Sequence, residues 1–382
     1  MDINIRPKPY LLFNAFHLIF IIFSIQVGVG LPGFQRIIVM ESGHDAWISV
    51  IVAGIAAHLV VMVMIATLNR YGSADLYGIH QDIFGKWLGS IINTVFIAYL
   101  VLSTTVVFRA YIEIVQVWLF PELPVWSMAI FGGLLAIYAV LGGIRVVVGV
   151  SVLSVLFTLW MIFLLYFPIQ YAEWKSLLPI FDTSTLDILK GAYKMSFTLA
   201  GFEILYYIYP YVKEKEKTSL FTHLGLLATN LLNLIIMVVS LVYFSEGQLL
   251  KTIWATLSMF KIIQLPFMER FEIIAISLWM LVILPNAILP LWAATRGMKR
   301  VFGFKQKYSL HGIVIIIFIA QMLLKTRDQV NMFFDWFSNK GFYLVFIYPF
   351  ILYVLVLVVQ KMRQKRGLAS NETKAPSNKS SN

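Results

Sequence analysis

Gly28-Val29-Gly30-Leu31-Pro32-Gly33 interrupts an apolar run that extends from about residue 11 to 40, and its reading decides the fold. As a pattern it matches G-x-G-x-x-G, the glycine fingerprint of dinucleotide-binding folds. That fingerprint needs a short strand before it, a helix after it and an acid about 20 residues further on. Here a long apolar run precedes the glycines, Pro32 sits among them, and a second apolar run begins where the acid should stand. The nucleotide reading is therefore rejected. Two glycines weaken a helix at this point, and Pro32 cannot donate into the preceding turn but suits the first turn of a new one. The run is expected to break into two half-helices, leaving unpaired N–H groups at depth.

Unpaired backbone is tolerated inside a membrane only where protein or a water-filled cavity satisfies it. The composition says that a membrane is the relevant solvent. Of 382 residues 60% are hydrophobic and only 13% are charged, too few polar side chains to dress a soluble surface of this size. Ten apolar segments run at about 11–40, 46–68, 89–119, 125–141, 146–167, 187–210, 219–244, 272–294, 309–324 and 342–360, each near the length a bilayer-crossing helix needs. Residues 1–360 thus read as one polytopic transmembrane domain, and the polar residues 361–382 as a disordered tail. Lys and Arg concentrate in the loops on the N-terminal side and in the tail, so the positive-inside rule places both termini in the cytoplasm. The net charge of +11 is read as membrane topology, not nucleic-acid binding. With no cysteine and six scattered histidines, neither thiolate chemistry nor a metal-ligand spacing exists; no cofactor and no enzymatic activity are expected.

Ten spans divide into five plus five, so the partner of span one is span six. Span six carries Leu199-Ala200-Gly201-Phe202-Glu203, a lone glycine followed by an acid. Gly201 either marks a second break at the corresponding position, as in transporters with inverted repeats, or permits close helix packing. Two such breaks would aim the positive ends of half-helices into one cavity, an environment suited to a carboxylate such as that of an amino acid. Tyr99 and Ser103 lie one turn apart near the middle of span three, and Pro285 and Pro290 bracket Asn286 in span eight. Tyr99 and Asn286 read equally as ligand contacts or as helix-to-helix hydrogen bonds. Arg109 and Glu113 stand four apart toward the outer end of span three and are expected to pair along its face. Glu203 is a candidate for capping the broken helix, carrying a proton or meeting a partner subunit. Gly247–Gln264 has the spacing of an interfacial helix, and Asp75–Trp87 that of an inner helix leading into span three.

The sequence resembles the spore germination permease family, the B subunits of nutrient germinant receptors, within the amino acid–polyamine–organocation transporter superfamily. The resemblance covers nearly the whole chain up to the tail. It rests on Gly28-Val29-Gly30-Leu31-Pro32, on Gly85-Lys86-Trp87-Leu88-Gly89-Ser90-Ile91-Ile92, on Ala200-Gly201-Phe202-Glu203, on Glu269-Arg270-Phe271-Glu272, and on the run from Ala293 to Gly303. It implies an all-α integral membrane protein with a five-plus-five inverted repeat and discontinuous first and sixth helices. It also implies a role: binding a small nutrient, often an amino acid, and signalling through A and C subunits in the spore inner membrane. By position the family's pocket falls on Gly28, Val29, Gly30, Tyr99, Ser103, Leu199, Ala200, Gly201, Phe202, and span eight around Asn286 and Pro290. The paired hydroxyls that sodium-coupled relatives place on span eight are missing from Leu284-Pro285-Asn286-Ala287, and span five has no lysine for a proton site. These absences favour a sensor that kept a transporter fold over an active amino acid permease.

Overall fold

The computed structural model describes residues 2–263 and 270–372, with side chains described as far as residue 365. Sixteen α-helices follow in order: α1 His17–Gln26, α2 Phe34–Ser42, α3 Ala46–Tyr71, α4 Leu76–Trp118, α5 Val125–Leu141, α6 Ile144–Thr158, α7 Tyr166–Ile169 and α8 Thr185–Leu199. The second half comprises α9 Leu205–Ile208, α10 Thr218–Tyr243, α11 Glu246–Leu249, α12 Ala255–Phe260, α13 Phe271–Phe302, α14 Gln306–Leu323, α15 Arg327–Phe342 and α16 Tyr348–Glu372. Seven helical stretches are long and apolar enough to cross a membrane, and α1 and α5 are shorter apolar helices. With the broken span six these account for the expected ten. Leu59, Leu134, Phe163 and Ile316 are at least half exposed on the outer faces, an apolar coat that suits lipid and not water.

The packing repeats. α1 of span one lies on α10 of span seven, and α8 of span six lies on α3 of span two. Exchanging each span for the one five further on turns the first contact into the second. The same exchange leaves the other two large contacts, α4 on α13 and α3 on α10, unchanged. Because five is odd, the second repeat enters from the opposite side, which makes the repeat inverted.

Span one breaks between Gln26 and Phe34, and span six between Leu199 and the short turns that run from Phe202 to Tyr211. Gly201 sits at φ +118°, a backbone region where a side chain is strained, so it breaks the helix and does not merely admit a neighbour. Gly85, at φ +77°, separates the inner helix expected at 75–87 from span three.

The N-terminal end of the bundle is sealed. Asp75 caps α4 by accepting from Gly78 N and pairs with Arg300 Nε at 3.0 Å. Arg300 Nη2 donates to Asp2 O, and Arg296 Nη2 to the Tyr211 hydroxyl at 2.7 Å. The N-terminal strand-like segment stitches two loops together, Ile5 N donating to Ser73 O and Phe13 N to Tyr211 O. Outside the spans, the Glu214 carboxylate accepts from Ala15 N, and this bond lowers its pKa.

Three expectations need correction. The segment from Gly247 is not one interfacial helix: α11 and α12 are separate, Ala255, Leu257, Met259 and Phe260 are buried, and Thr256 N donates to Pro32 O. The apolar side chains of α12, buried at all but one position, and the pull of the carbonyls freed at the first break draw it into the bundle; its last expected residue, Gln264, and Glu269 lie outside the described residues. Arg109 does not pair with Glu113. Glu113 instead meets Arg327 Nε at 3.4 Å, while Arg109 Nη2 donates to Leu324 O. Finally, the tail expected to begin at 361 starts inside α16, which continues to Glu372. Its Lys, Met, Arg and Gln are good helix formers, and Arg363 Nη1 clamps both carboxylate oxygens of Asp82 at 2.9 Å.

Candidate ligand-binding site

At the first break the backbone runs out of helical partners. Leu31 N donates to Gly28 O and Phe34 N to Gly30 O, whereas the N–H groups of Gly28, Val29 and Gly30 make no hydrogen bond among the described residues. Two carbonyls at the end of α1 are rescued by a side chain from another span. Asn286 Nδ2 donates to Ser24 O at 2.7 Å and to Val27 O at 3.3 Å, and to Val282 O in its own helix at 2.9 Å. Ser24 O is the acceptor that an unbroken helix would offer to Gly28 N. Asn286 thus takes the structural role, clasping span eight to the unwound part of span one. A Cβ on Gly28 would overlap the Asn286 amide, and one on Gly30 would lie 2.6 Å from Thr198 Oγ1. Both glycines are required by close approach.

At the sixth-span break the protein supplies a carboxyl group of its own. Glu203 Oε2 accepts from Gly201 N at 2.7 Å, and Oε1 accepts from the Tyr99 hydroxyl at 2.8 Å. Tyr99 is held in place by stacking on Phe337, with ring centroids 5.4 Å apart and planes 8° from parallel. The two breaks are also tied directly, Gln26 Nε2 donating to Leu199 O at 2.6 Å.

One cavity joins these parts. About 540 Å³ of unfilled space, counting its open mouth, lies against Gly28, Val29, Gly30, Tyr99, Ser103, Ala200, Gly201, Glu203 and Asn286. With Pro290, which also lines it, ten residues singled out from sequence meet at one place. Leu199 and Phe202 do not line it. Both are fully buried: Leu199 contributes a carbonyl to Gln26, and Phe202 packs edge-on against Phe346. Sequence reasoning missed Gln26, Thr198 and Phe337, which also line the cavity. Thr198, three residues before Gly201, stood within sight of the break. Phe337 lay in a segment taken as a loop, although Thr326 and Gln329 form a capping box at the start of α15, a readable helix-start signal.

The cavity leads away from the sealed end. Val29, Gly30, Phe197 and Thr198 line both it and a vestibule of about 800 Å³. Glu113, Lys194, Trp254, Arg327 and Asn331 border that vestibule. No Lys or Arg lines the inner cavity itself.

A broken-helix pair around a central cavity is the geometry of a transporter. A family model described as spore germination protein matches residues 13–330. The chain belongs to the spore germination permease family. Spore germination protein GerQB of Bacillus cereus is 38% identical over 366 residues, covering 95% of this chain and 99% of that protein. Spore germination protein A2 of Bacillus subtilis (strain 168) is 24% identical over 362 residues, covering 92% and 97%. Among solved structures, a sodium-coupled sialic acid symporter in a substrate-bound outward-open state superimposes with a TM-score of 0.57 at 12% identity, covering 90% of this chain and 76% of the symporter. That likeness concerns the fold alone. The chain is a germination-related, permease-like, multi-pass membrane protein.

Proposed function

We propose that this protein is the ligand-sensing B subunit of a nutrient germinant receptor in the spore inner membrane, and that its ligand is a small amino acid. One observation carries the reading: the free N–H groups of Gly28, Val29 and Gly30 and the carboxylate of Glu203 border the same cavity. An amino acid matches both poles. Its carboxylate goes to the N–H groups of the first break, and its ammonium to Glu203 beside Tyr99. Val106, Val107 and Phe197, which also line the cavity, leave room for a small apolar side chain. Ser103 adds a hydroxyl.

Sensing follows from how the site is held. A ligand across both breaks adds to the links that Asn286 and Gln26 already make, and so biases how the half-helices sit against the bundle. That bias is what A and C subunits would read. The Lys and Arg distribution supports a cytoplasmic sealed end, with the vestibule facing outward.

The open vestibule and the half-buried Glu203 also favour a second reading, an active amino acid permease. The two separate cleanly. Proteoliposomes containing this chain alone should bind a labelled amino acid saturably without accumulating it against a gradient. Robust gradient-driven accumulation would replace the sensor with the permease.

A further inference from the structure

Behind the first break lies a second cavity of different chemistry. About 520 Å³ of unfilled space, counting its mouth, lies between α1, the turn Leu159–Leu165, α10, α12 and α13. Among the described residues no charged side chain lines it. Its two hydroxyls are committed: Thr158 Oγ1 donates to Ser154 O at 2.6 Å, and Thr256 Oγ1 donates to Leu31 O while accepting from Gln35 Nε2. Trp279 is different. It lines the cavity, is 4% exposed, and its indole N–H has no hydrogen-bond partner among the described residues.

An unfilled apolar cavity leaves its lining without dispersion partners on one side, and a buried N–H is normally paired. An occupant that is mostly aliphatic and offers one acceptor would satisfy both. The cavity reaches the apolar outer surface of the bundle at Leu159, which lines it and is 48% exposed. This residue begins a seven-residue 3₁₀ stretch, a run long enough to mark a hinge or strain in span five.

The placement gives the cavity leverage. Val27 and Leu31 line it, and the three residues between them, Gly28, Val29 and Gly30, line the amino acid cavity on the other face. We propose that this second cavity is a regulatory site for an uncharged aliphatic molecule with a single hydrogen-bond acceptor, such as a medium-chain alcohol or ketone, entering from the bilayer and coupled through the first break to the amino acid site. Coupling of this kind is reciprocal: each ligand changes the other's affinity by the same factor. The existence of the site is independent of the proposed amino acid function; only the coupling rests on it.

The test uses full-length protein in nanodiscs and a diazirine-bearing octanol. Photolabelling followed by peptide mapping should place the label on the segments holding Phe23–Leu31, Leu159–Leu165 or Trp279. Excess 2-nonanone should compete it away. Leu232→Trp, at the cavity wall and outside the amino acid site, should cut labelling about tenfold while leaving amino acid binding intact. The octanol should shift the amino acid dissociation constant at least threefold in the wild type and not in Leu232→Trp. Label spread evenly over the lipid-facing helices and unchanged in Leu232→Trp would overturn the site, as would a co-purifying phospholipid whose acyl chain blocks labelling. Labelling that behaves as expected with no amino acid binding at all would overturn the coupling and the proposed function, and leave the site standing.

Discussion

Replacing Glu203 with Gln tests the chemistry of the cavity most sharply, because the change is nearly isosteric and removes the one acid among the described lining residues. In the wild type Oε1 lies 2.8 Å from the Tyr99 hydroxyl and Oε2 2.7 Å from Gly201 N. The amide oxygen still accepts from Gly201 N, and the NH₂ donates to the Tyr99 oxygen, which accepts as well as donates, so both internal bonds survive. What is lost is the charged partner of the ligand. A hydrogen bond from the ligand ammonium to a charged group is worth about 1.5–3 kcal/mol, and at about 1.4 kcal/mol per tenfold its loss weakens amino acid binding roughly 10- to 150-fold. Tyr99→Phe is the control, since it removes one internal bond and keeps the carboxyl group. Isothermal titration should show the amino acid losing affinity in Glu203→Gln, while its deaminated analogue, which has no ammonium to lose, binds at least as well as before. Equal affinity of the amino acid for wild type and Glu203→Gln would refute the assignment of the ammonium to Glu203.

Further perturbations probe the frame around the site. Asn286→Ala removes two hydrogen bonds between spans at about 1 kcal/mol each, so thermal unfolding in detergent should show a loss of about 2 kcal/mol; no change would mean that the clasp is dispensable. Gly201→Ala places a Cβ 3.0 Å from Ile25 O and from Ile25 Cγ1 at φ +118°, and should abolish nutrient-triggered germination with the protein still in the membrane. Arg300→Met breaks the ion pair with Asp75 and should expose a cysteine introduced at Thr295, buried in the wild type, to maleimide from the N-terminal side. The absence of native cysteine leaves that assay without background. Asp82→Asn weakens the clamp on Arg363 and should speed amide exchange over residues 361–372.

Much of the molecule was legible because membranes make backbone irregularity expensive. A glycine-proline cluster in span one and a glycine-acid pair in span six stand out only because everything around them is apolar. Their alignment at a five-span offset pointed to both the repeat and the cavity. What the sequence left hidden depends on direction rather than position. Whether Leu199 or Thr198 faces the cavity is set by how α8 is rotated against the bundle, which a span apolar on all sides does not reveal. Asn286 looked equally like a ligand contact and a strut; its three carbonyl partners come from two different spans, so no local pattern could decide. The helical start of span ten was missed because Arg327–Phe342 is too polar to read as membrane, although its capping box was present. Residues 361–372 carry good helix formers, and Arg363 also meets Asp82 from 281 positions away, a contact that no local reading contains.

Determining the structure of the full-length protein in nanodiscs with a bound amino acid would test the central claim directly. The account predicts ligand density between the two breaks, its carboxylate within hydrogen-bond distance of the N–H groups of Gly28, Val29 or Gly30 and its ammonium beside Glu203. Density confined to the vestibule, with the carboxylate on Lys194 or Arg327, would contradict it.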